Sequence, residues 1–266
     1  MKVAVIQMGA GPDKAHNVAK AVYLVEQAVR GHAEFVLLPE MFNYRGTMSA
    51  QSVLNTYKEK IPGESIQPFM DLAKKHKISI LAGSICEEIP HSDKVYNASV
   101  LIDEQGMISA TYRKMHLFDA QLGTTAVKES LSFVAGQQPV TAKVGEFTIG
   151  LSVCYDVRFP DLYQTYARQG AQLLTVPSAF TKTTGQAHWE VLLRARAIEN
   201  LCYVLAPNQI GKDGRGVEAY GHSMIVNPWG EILAVASADR EEIITAELER
   251  NVLLEKRKIL PGINKI

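Results

Sequence analysis

A thiol, a carboxylate and an ammonium each stand at the end of an expected strand in this chain. Cys154 lies in Gly150-Leu151-Ser152-Val153-Cys154-Tyr155-Asp156-Val157-Arg158-Phe159-Pro160, a strand leading through a short turn into a helix opened by Pro160 and Asp161. Proline suits the first helical position. A thiol at such a turn, facing a helix N-terminus, is expected to tend toward thiolate. Glu40 follows Leu37-Leu38-Pro39 and precedes Met41-Phe42, so poor hydration should raise its pKa and make it a proton shuttle. Lys114, in Thr111-Tyr112-Arg113-Lys114-Met115-His116-Leu117, could stabilise a thiolate or an oxyanion if it reaches the same place. Nucleophilic catalysis on a carbonyl is the chemistry these types allow.

Other readings of single residues stay open. His116, His188 and His222 would allow a Cys–His hydrolase, although no Asn or Asp orienter is evident for any of them, and structural hydrogen bonding is the simpler expectation. Arg158 offers a forked donor for a ligand carboxylate or, equally, an ion pair with Asp156 or Asp161. Cys86 and Cys202 read as core, Trp189 and Trp229 as packing. Gly211-Lys212-Asp213-Gly214-Arg215-Gly216 lacks a strand–glycine–helix context and reads as a solvent loop. No metal-ligand spacing is seen.

The elements that must position these groups alternate along the chain. Strands are expected at 3–8, 35–39, 78–85, 98–102 and 107–112, with helices at 15–30 and 63–77. Asp103-Glu104-Gln105-Gly106 should close a hairpin. The second half repeats the scheme: strand 147–153, helix 160–168, strand 173–176, helix 188–201 and strand 203–206. Strands at 224–226, 232–236 and 243–246 follow, the first pair joined through Asn227-Pro228-Trp229-Gly230, then a charged helix at 248–259. Two matching halves predict two sheets packed face to face with helices outside, in a single domain over 1–266. Strand–helix–strand units deliver polar groups to a common rim, where open α/β proteins place ligands.

Composition narrows the partners. Among 266 residues, 28 basic and 28 acidic side chains balance, which speaks against nucleic acid and anionic membrane. A mean hydropathy of -0.03 and no long apolar run predict no membrane span. Three scattered cysteines and no leader-like N-terminus suit reduced thiols in the cytoplasm.

The Leu-Pro-Glu, Tyr-Arg-Lys-Met-His and Cys-Tyr-Asp-Val-Arg-Phe-Pro segments, in this order, resemble the carbon–nitrogen hydrolase (nitrilase) superfamily. The likeness extends from Val3 through Gly221-His222-Ser223 and Asn227-Pro228-Trp229-Gly230. It implies an α/β fold, a four-layer α-β-β-α sandwich, with Glu40 as general base, Lys114 as oxyanion stabiliser and Cys154 as nucleophile. Glu129 would be a second glutamate beside the lysine, with an ordinary loop charge as its alternative; the Tyr155 N–H would complete the oxyanion site. Pro177-Ser178-Ala179-Phe180, Thr183-Thr184-Gly185 and Ala187-to-Ala197 are most similar to the deaminated glutathione amidase and ω-amidase branch. That implies hydrolysis of a small α-keto-acid amide, deaminated glutathione before α-ketoglutaramate, with Arg158, Phe180 and Thr184 at the keto-acid end. A carbamoylase, another nitrilase, or a catalytically silent scaffold of the same fold are the alternatives. No cofactor and no metal are implied, and a homodimer paired through helices is. The tail Leu260-to-Ile266 departs from the longer, arginine-bearing family tails, which speaks against tail exchange across that dimer.

Overall fold

The computed structural model describes residues 1–46, 51–122 and 125–261. The Gly123-Thr124 stretch ahead of Glu129 and the tail from residue 262 lie outside the described residues. Strand β1 (Lys2–Gln7) shows why the first half folds as it does. Val3 and Val5 point into one core and Ala4 and Ile6 into another, so a continuous apolar run is buried on both faces. Helix α1 (Lys14–Arg30) covers the outer face; Asp13 caps it by accepting from His16 N, and Gly31 ends it. Strand β2 (Phe35–Leu37) lies parallel to β1. Helices α2 (Gln51–Tyr57) and α3 (Gln67–His76) lead to β3 (Ser79–Glu88), β4 (Val95–Ile102) and β5 (Ile108–Arg113). The Asp103-to-Gly106 turn joins β4 to β5, as expected.

Two short antiparallel strands, β6 (Asp119–Leu122) and β7 (Thr125–Lys128), then form a separate hairpin that periodicity does not predict. The second sheet begins with β8 (Thr141–Val144), also unpredicted, and β9 (Phe147–Leu151). Helix α4 (Pro160–Arg168), β10 (Leu173–Thr175), α5 (Lys182–Asn200) and β11 (Tyr203–Ala206) follow. Helix α5 begins six residues before the expected His188, because Thr181 caps it. Strands β12 (Met224–Val226), β13 (Ile232–Val235) and β14 (Glu242–Glu247) precede α6 (Arg250–Ile259).

Strand order is β14-β1-β2-β3-β4-β5 in one six-stranded sheet and β13-β12-β11-β10-β9-β8 in the other. Val3, Val5, Phe35 and Leu37 of the first meet Phe147, Ile149, Leu151 and Leu173 of the second in one buried cluster. On the far side of the second sheet, α5 sets Trp189, Leu193 and Ala197 inward at four-residue steps. Each such large apolar side chain contributes about 1.5–3 kcal/mol on full burial. Helix, sheet, sheet, helix is the four-layer order anticipated.

Both sheets have a parallel centre, β1-β2-β3 and β9-β10-β11. Their C-terminal ends meet where Gln209 N–H and Ile210 N–H bridge to Ser178 O and Met8 O. At that rim Gly83, with φ +26°, passes so close to the preceding strand exit that a Cβ would lie 1.9 Å from Pro39 O. Any side chain there would displace the backbone bearing Glu40.

Candidate active site

Each member of the site leaves a strand just before it is needed. Glu40 lies beyond β2, held by Met41 N donating to Ser84 Oγ (3.0 Å) and Gln209 Nε2 donating to Glu40 O (2.9 Å). Met41 itself has φ +53°. Lys114 follows β5, its N–H on Asn97 O at 2.8 Å. Glu129 opens a 3-10 turn after β7. Cys154 opens another, Cys154–Arg158, which separates β9 from α4. The thiol therefore heads this short turn and not α4 itself, which starts at Pro160.

Cys154 has φ +49°, the left-handed region, which costs of order 1–3 kcal/mol for a non-glycine residue. The turn is held by Cys154 N donating to Pro177 O (2.9 Å) and Asp156 N donating to Val153 O (3.1 Å). Between them stands Tyr155 N–H, in the first turn, where helical geometry supplies no intrahelical acceptor.

The four side chains meet. Lys114 Nζ lies 2.9 Å from Glu40 Oε1 and 2.9 Å from Glu129 Oε2. Glu40 Oε1 also accepts from Asn97 Nδ2 (2.9 Å) and Glu40 Oε2 from Ala179 N (2.8 Å), and the Cys154 thiol is near enough to act on the same carboxylate. Glu129 is anchored by Phe118 N donating to Oε2 at 2.6 Å. It is thus no free loop charge. Glu40 is 4 % exposed and Lys114 2 %.

Charge in this pocket follows from one cation between two carboxylates. Burial alone would raise Glu40, but the Lys114 charge and hydrogen bonds from Cys154, Lys114 and Ala179 outweigh it, so its carboxyl sits below the usual 4.5. That reverses the expectation from hydration alone. Lys114 is pushed down by burial and up, with larger total effect, by Glu129, Glu40 and Cys154; it stays an ammonium. Burial and the Glu40 charge push the Cys154 thiol well above its ordinary 9.0, against the pull of Lys114. The expectation of a resting thiolate is therefore corrected: Cys154 is a thiol beside an ionised carboxylate. Passing that proton to Glu40 moves one negative charge within reach of Lys114 and adds none.

Arg158 makes neither expected ion pair. Asp156 is fully buried and its oxygens face Tyr112, His116 and Val153. Arg158 Nη1 lies 3.2 Å from His188 Nδ1, and its guanidinium stands 5.1 Å from the Phe180 ring centroid and 5.6 Å from that of Tyr155. Its Nε is buried without a hydrogen-bond partner among the described residues. Phe180 packs on Trp189, while the Thr184 hydroxyl lies 2.9 Å from Thr181 Oγ1 in the cap of α5.

The histidines resolve differently from one another. His188 Nδ1 faces Arg158, and His222 Nδ1 faces Tyr220 O at 2.8 Å. His116 does have an acidic partner, Asp156 Oδ1 at 2.7 Å, contrary to expectation, and its ring stacks on Phe159. Cys86 and Cys202 are buried and Trp189 is packed, but Trp229 is 40 % exposed. The loop at 211–216 is anchored: Asp213 is buried, and Gly214 N donates to Arg45 O at 3.0 Å. Asn97, Asp156 and the Ala179 N–H are site members that sequence reasoning missed. Only a buried-strand asparagine and an acid two residues past the thiol could have flagged the first two. Among the described residues no cluster of His, Cys, Asp or Glu could hold a metal, and no helix is long and apolar enough to cross a membrane.

Comparison with known proteins agrees in one direction. The sequence profile of the family described as carbon-nitrogen hydrolase matches residues 2–258. The Drosophila melanogaster nitrilase and fragile histidine triad fusion protein NitFhit is 40% identical over 262 residues, 97% of this chain but only 56% of that protein. Human omega-amidase NIT2 is 39% identical over 261 residues, covering 98% of this chain and 92% of that one. The Synechocystis sp. (strain PCC 6803 / GT-S) deaminated glutathione amidase is 39% identical over 269 residues, 98% and 96% of the two chains. The crystal structure of Saccharomyces cerevisiae Nit3, a member of branch 10 of the nitrilase superfamily, superposes with a TM-score of 0.87 at 35% identity, over 98% of this chain and 94% of that one.

Proposed function

The chain belongs to the carbon–nitrogen hydrolase family, and from that premise we propose that it hydrolyses the terminal amide of a small α-keto-acid amide through a Cys154 thioester. The observation that carries this is the thiol, the ammonium and two anchored carboxylates gathered in one buried pocket. Cys154 Sγ attacks the amide carbonyl while its proton passes to Glu40. The tetrahedral oxyanion is held by Lys114 Nζ and the Tyr155 N–H. Glu40 then protonates the departing nitrogen, as ammonia from a primary amide or as the amine from a substituted one, and the carbonyl re-forms as a thioester. Glu40 next takes a proton from water, whose oxygen attacks the thioester; collapse releases the keto-acid and returns the thiol. Glu129 holds the same ammonium as Glu40 does. With both carboxylates ordered around it, Lys114 needs no reorientation as the oxyanion forms.

Arg158 is assigned to the substrate's carboxylate, supported by its unpartnered Nε and its seat over Phe180. Deaminated glutathione is the preferred substrate, since the Trp189-to-Ala197 segment resembles that branch, and a relative of that name is 39% identical. The ω-amidase reaction on α-ketoglutaramate is the second reading, favoured by a similar identity to NIT2. Keto-acid release from both keto-amides, and ammonia release from a plain nitrile and an N-carbamoyl amino acid, test the assignment. Turnover of either of the last two with neither keto-amide used would overturn it. Mass spectrometry of the quenched reaction should find the acyl group on Cys154; a silent scaffold would carry none.

The wider setting belongs to the same proposal: a single domain in the cytoplasm, acting without cofactor, as a homodimer. The dimer is supported by an apolar face on α5 and the edge strand β13. Val191 is 68% exposed and Leu233 42%, and Ile198 adjoins the Gly230 turn that leads into β13. Light scattering that finds only monomer at micromolar concentration would remove it.

A further inference from the structure

Asp156 lies two residues past the thiol and takes no part in the steps above. Its carboxylate is fully buried, and among the described residues its one ion-pairing partner is His116. Oδ2 accepts from Val153 N (2.8 Å) and from Tyr112 Oη (2.7 Å). Oδ1 accepts from His116 N (2.9 Å) and faces His116 Nδ1 (2.7 Å). Tyr112 Oη in turn accepts from Met115 N at 3.3 Å. Val153 is the residue before Cys154; Tyr112 and His116 stand two residues either side of Lys114. One carboxylate therefore ties both flanks of the ammonium, from the first sheet, to the strained turn of the thiol, from the second.

The chemistry of the position is exacting. Each oxygen receives one backbone N–H, Val153 on one side and His116 on the other, and a backbone N–H cannot turn into an acceptor. An asparagine would have to aim its own NH₂ at one of them. The tyrosine and histidine can adapt, the first by rotating its hydroxyl and the second by changing tautomer. The two backbone donors cannot. An acceptor on both oxygens is what this place requires, so the amide breaks either the lysine side or the cysteine side of the tie.

We propose that Asp156 is a positioning residue which fixes Lys114 Nζ against Cys154 Sγ by bridging the two sheets, and this rests on the thioester reading of the same site. Nothing else among the described residues bonds the Tyr112-to-His116 segment directly to the Cys154 turn. The same bonds hold Cys154 in its left-handed conformation, because Val153 N and Asp156 N pin the residue before it and the residue after the oxyanion N–H. Misplacement of a reacting group by about 1 Å costs on the order of 10²-fold in rate.

The experiment measures kcat and KM for keto-acid release from α-ketoglutaramate and deaminated glutathione, per folded molecule by circular dichroism. It uses the full chain as wild type, Asp156→Asn, Tyr112→Phe and Cys154→Ala. Asp156→Asn is expected to lose on the order of 10²-fold in kcat with KM near wild type, since recognition through Arg158 is untouched. Tyr112→Phe keeps both backbone donors on the carboxylate and is expected to lose about three- to tenfold in kcat alone. A merely structural Asp156 would lower the melting temperature and leave kcat per folded molecule at the wild-type value; that result overturns the proposal. If Asp156→Asn does not fold, Tyr112→Phe decides, and wild-type kcat there overturns it. Cys154→Ala separates the two ideas. Turnover in that variant sinks the thioester reading, whereas a dead Cys154→Ala beside a fully active Asp156→Asn sinks only the positioning role.

Discussion

The reacting end of the pocket and its recognition end are built on opposite plans. At the reacting end Glu40 has both oxygens bonded, Lys114 lies between two carboxylates, and both are almost wholly shielded from water. At the recognition end Arg158 has one bond to His188, two aromatic faces beside it and a buried Nε with nothing to donate to. Buried donors are seldom left unpaired in a finished structure. The contrast lies in the charged groups, since Glu40 and Lys114 have protein partners while Arg158 Nε has none among the described residues. Beside Glu40 the Asn97 Oδ1 is also buried without a partner among the described residues. Groups that act on every substrate are preorganised, and the group that selects one is left open.

The comparison breaks first if the reacting end is not where the reaction occurs. Cys154→Ala is expected to lower ammonia release by about four orders of magnitude or more, and Glu40→Gln nearly as much, with the fold intact by circular dichroism. Retained turnover in either would shift attention to the histidines. Lys114→Met tests the same end through stability. It leaves Glu40 and Glu129 facing each other without a cation, and breaking a buried pair this way costs about 3–5 kcal/mol. Urea unfolding should show that loss alongside lost activity.

Proton linkage sharpens the point. Glu40 has a depressed folded pKa, so its contribution to stability is present above its ordinary 4.5 and fades as pH falls below that value. The stability gap between wild type and Glu40→Gln should therefore hold from pH 7 to about 4.5 and narrow as the pH falls below that value in urea titrations. A gap that stays constant would mean the carboxyl is not held ionised by Lys114.

The reacting end was also the more legible from sequence. Glu40 and Cys154 each follow an apolar strand and Lys114 a mixed one, and strand ends of one α/β fold share a rim. Asn97 could not be found that way, because it sits inside β4, where its polar head counts as an interruption of an apolar run. Asp156 and Tyr112 are 44 residues apart on different sheets, a pairing that no local pattern encodes. The pKa directions failed for a related reason: the expected rise at Glu40 considered burial alone. The sign was decided by Lys114, Cys154 and Ala179, which arrive from other strands. The β6–β7 hairpin was missed because its strands are four residues each and half polar.

At the recognition end the effects should be smaller and selective. Arg158→Ala is expected to cost about 1.5–3 kcal/mol, roughly tenfold to a hundredfold in kcat/KM, for amides that carry the keto-acid carboxylate. A neutral short amide, lacking that group, should lose little. Equal losses on both would mean that the arginine serves the Tyr155 and Phe180 packing and not the ligand.

Thr184 offers the mildest test and the sharpest boundary between the two ends. Resemblance assigns it to the substrate, but its hydroxyl is already engaged with Thr181 Oγ1 at 2.9 Å, and Thr181 is the N-cap of α5. A hydroxyl committed to a cap has less to offer a ligand than a guanidinium whose Nε has no partner among the described residues. Thr184→Val keeps the shape and removes the hydrogen bond. It should lower stability by about 0.5–1 kcal/mol, in the range of a weakened cap, and leave KM within a few-fold of wild type. If KM for both keto-amides instead rises tenfold or more while the melting temperature holds, the hydroxyl turns from Thr181 to the substrate on binding. The open, ligand-completed part of the pocket would then extend from Arg158 to the start of α5.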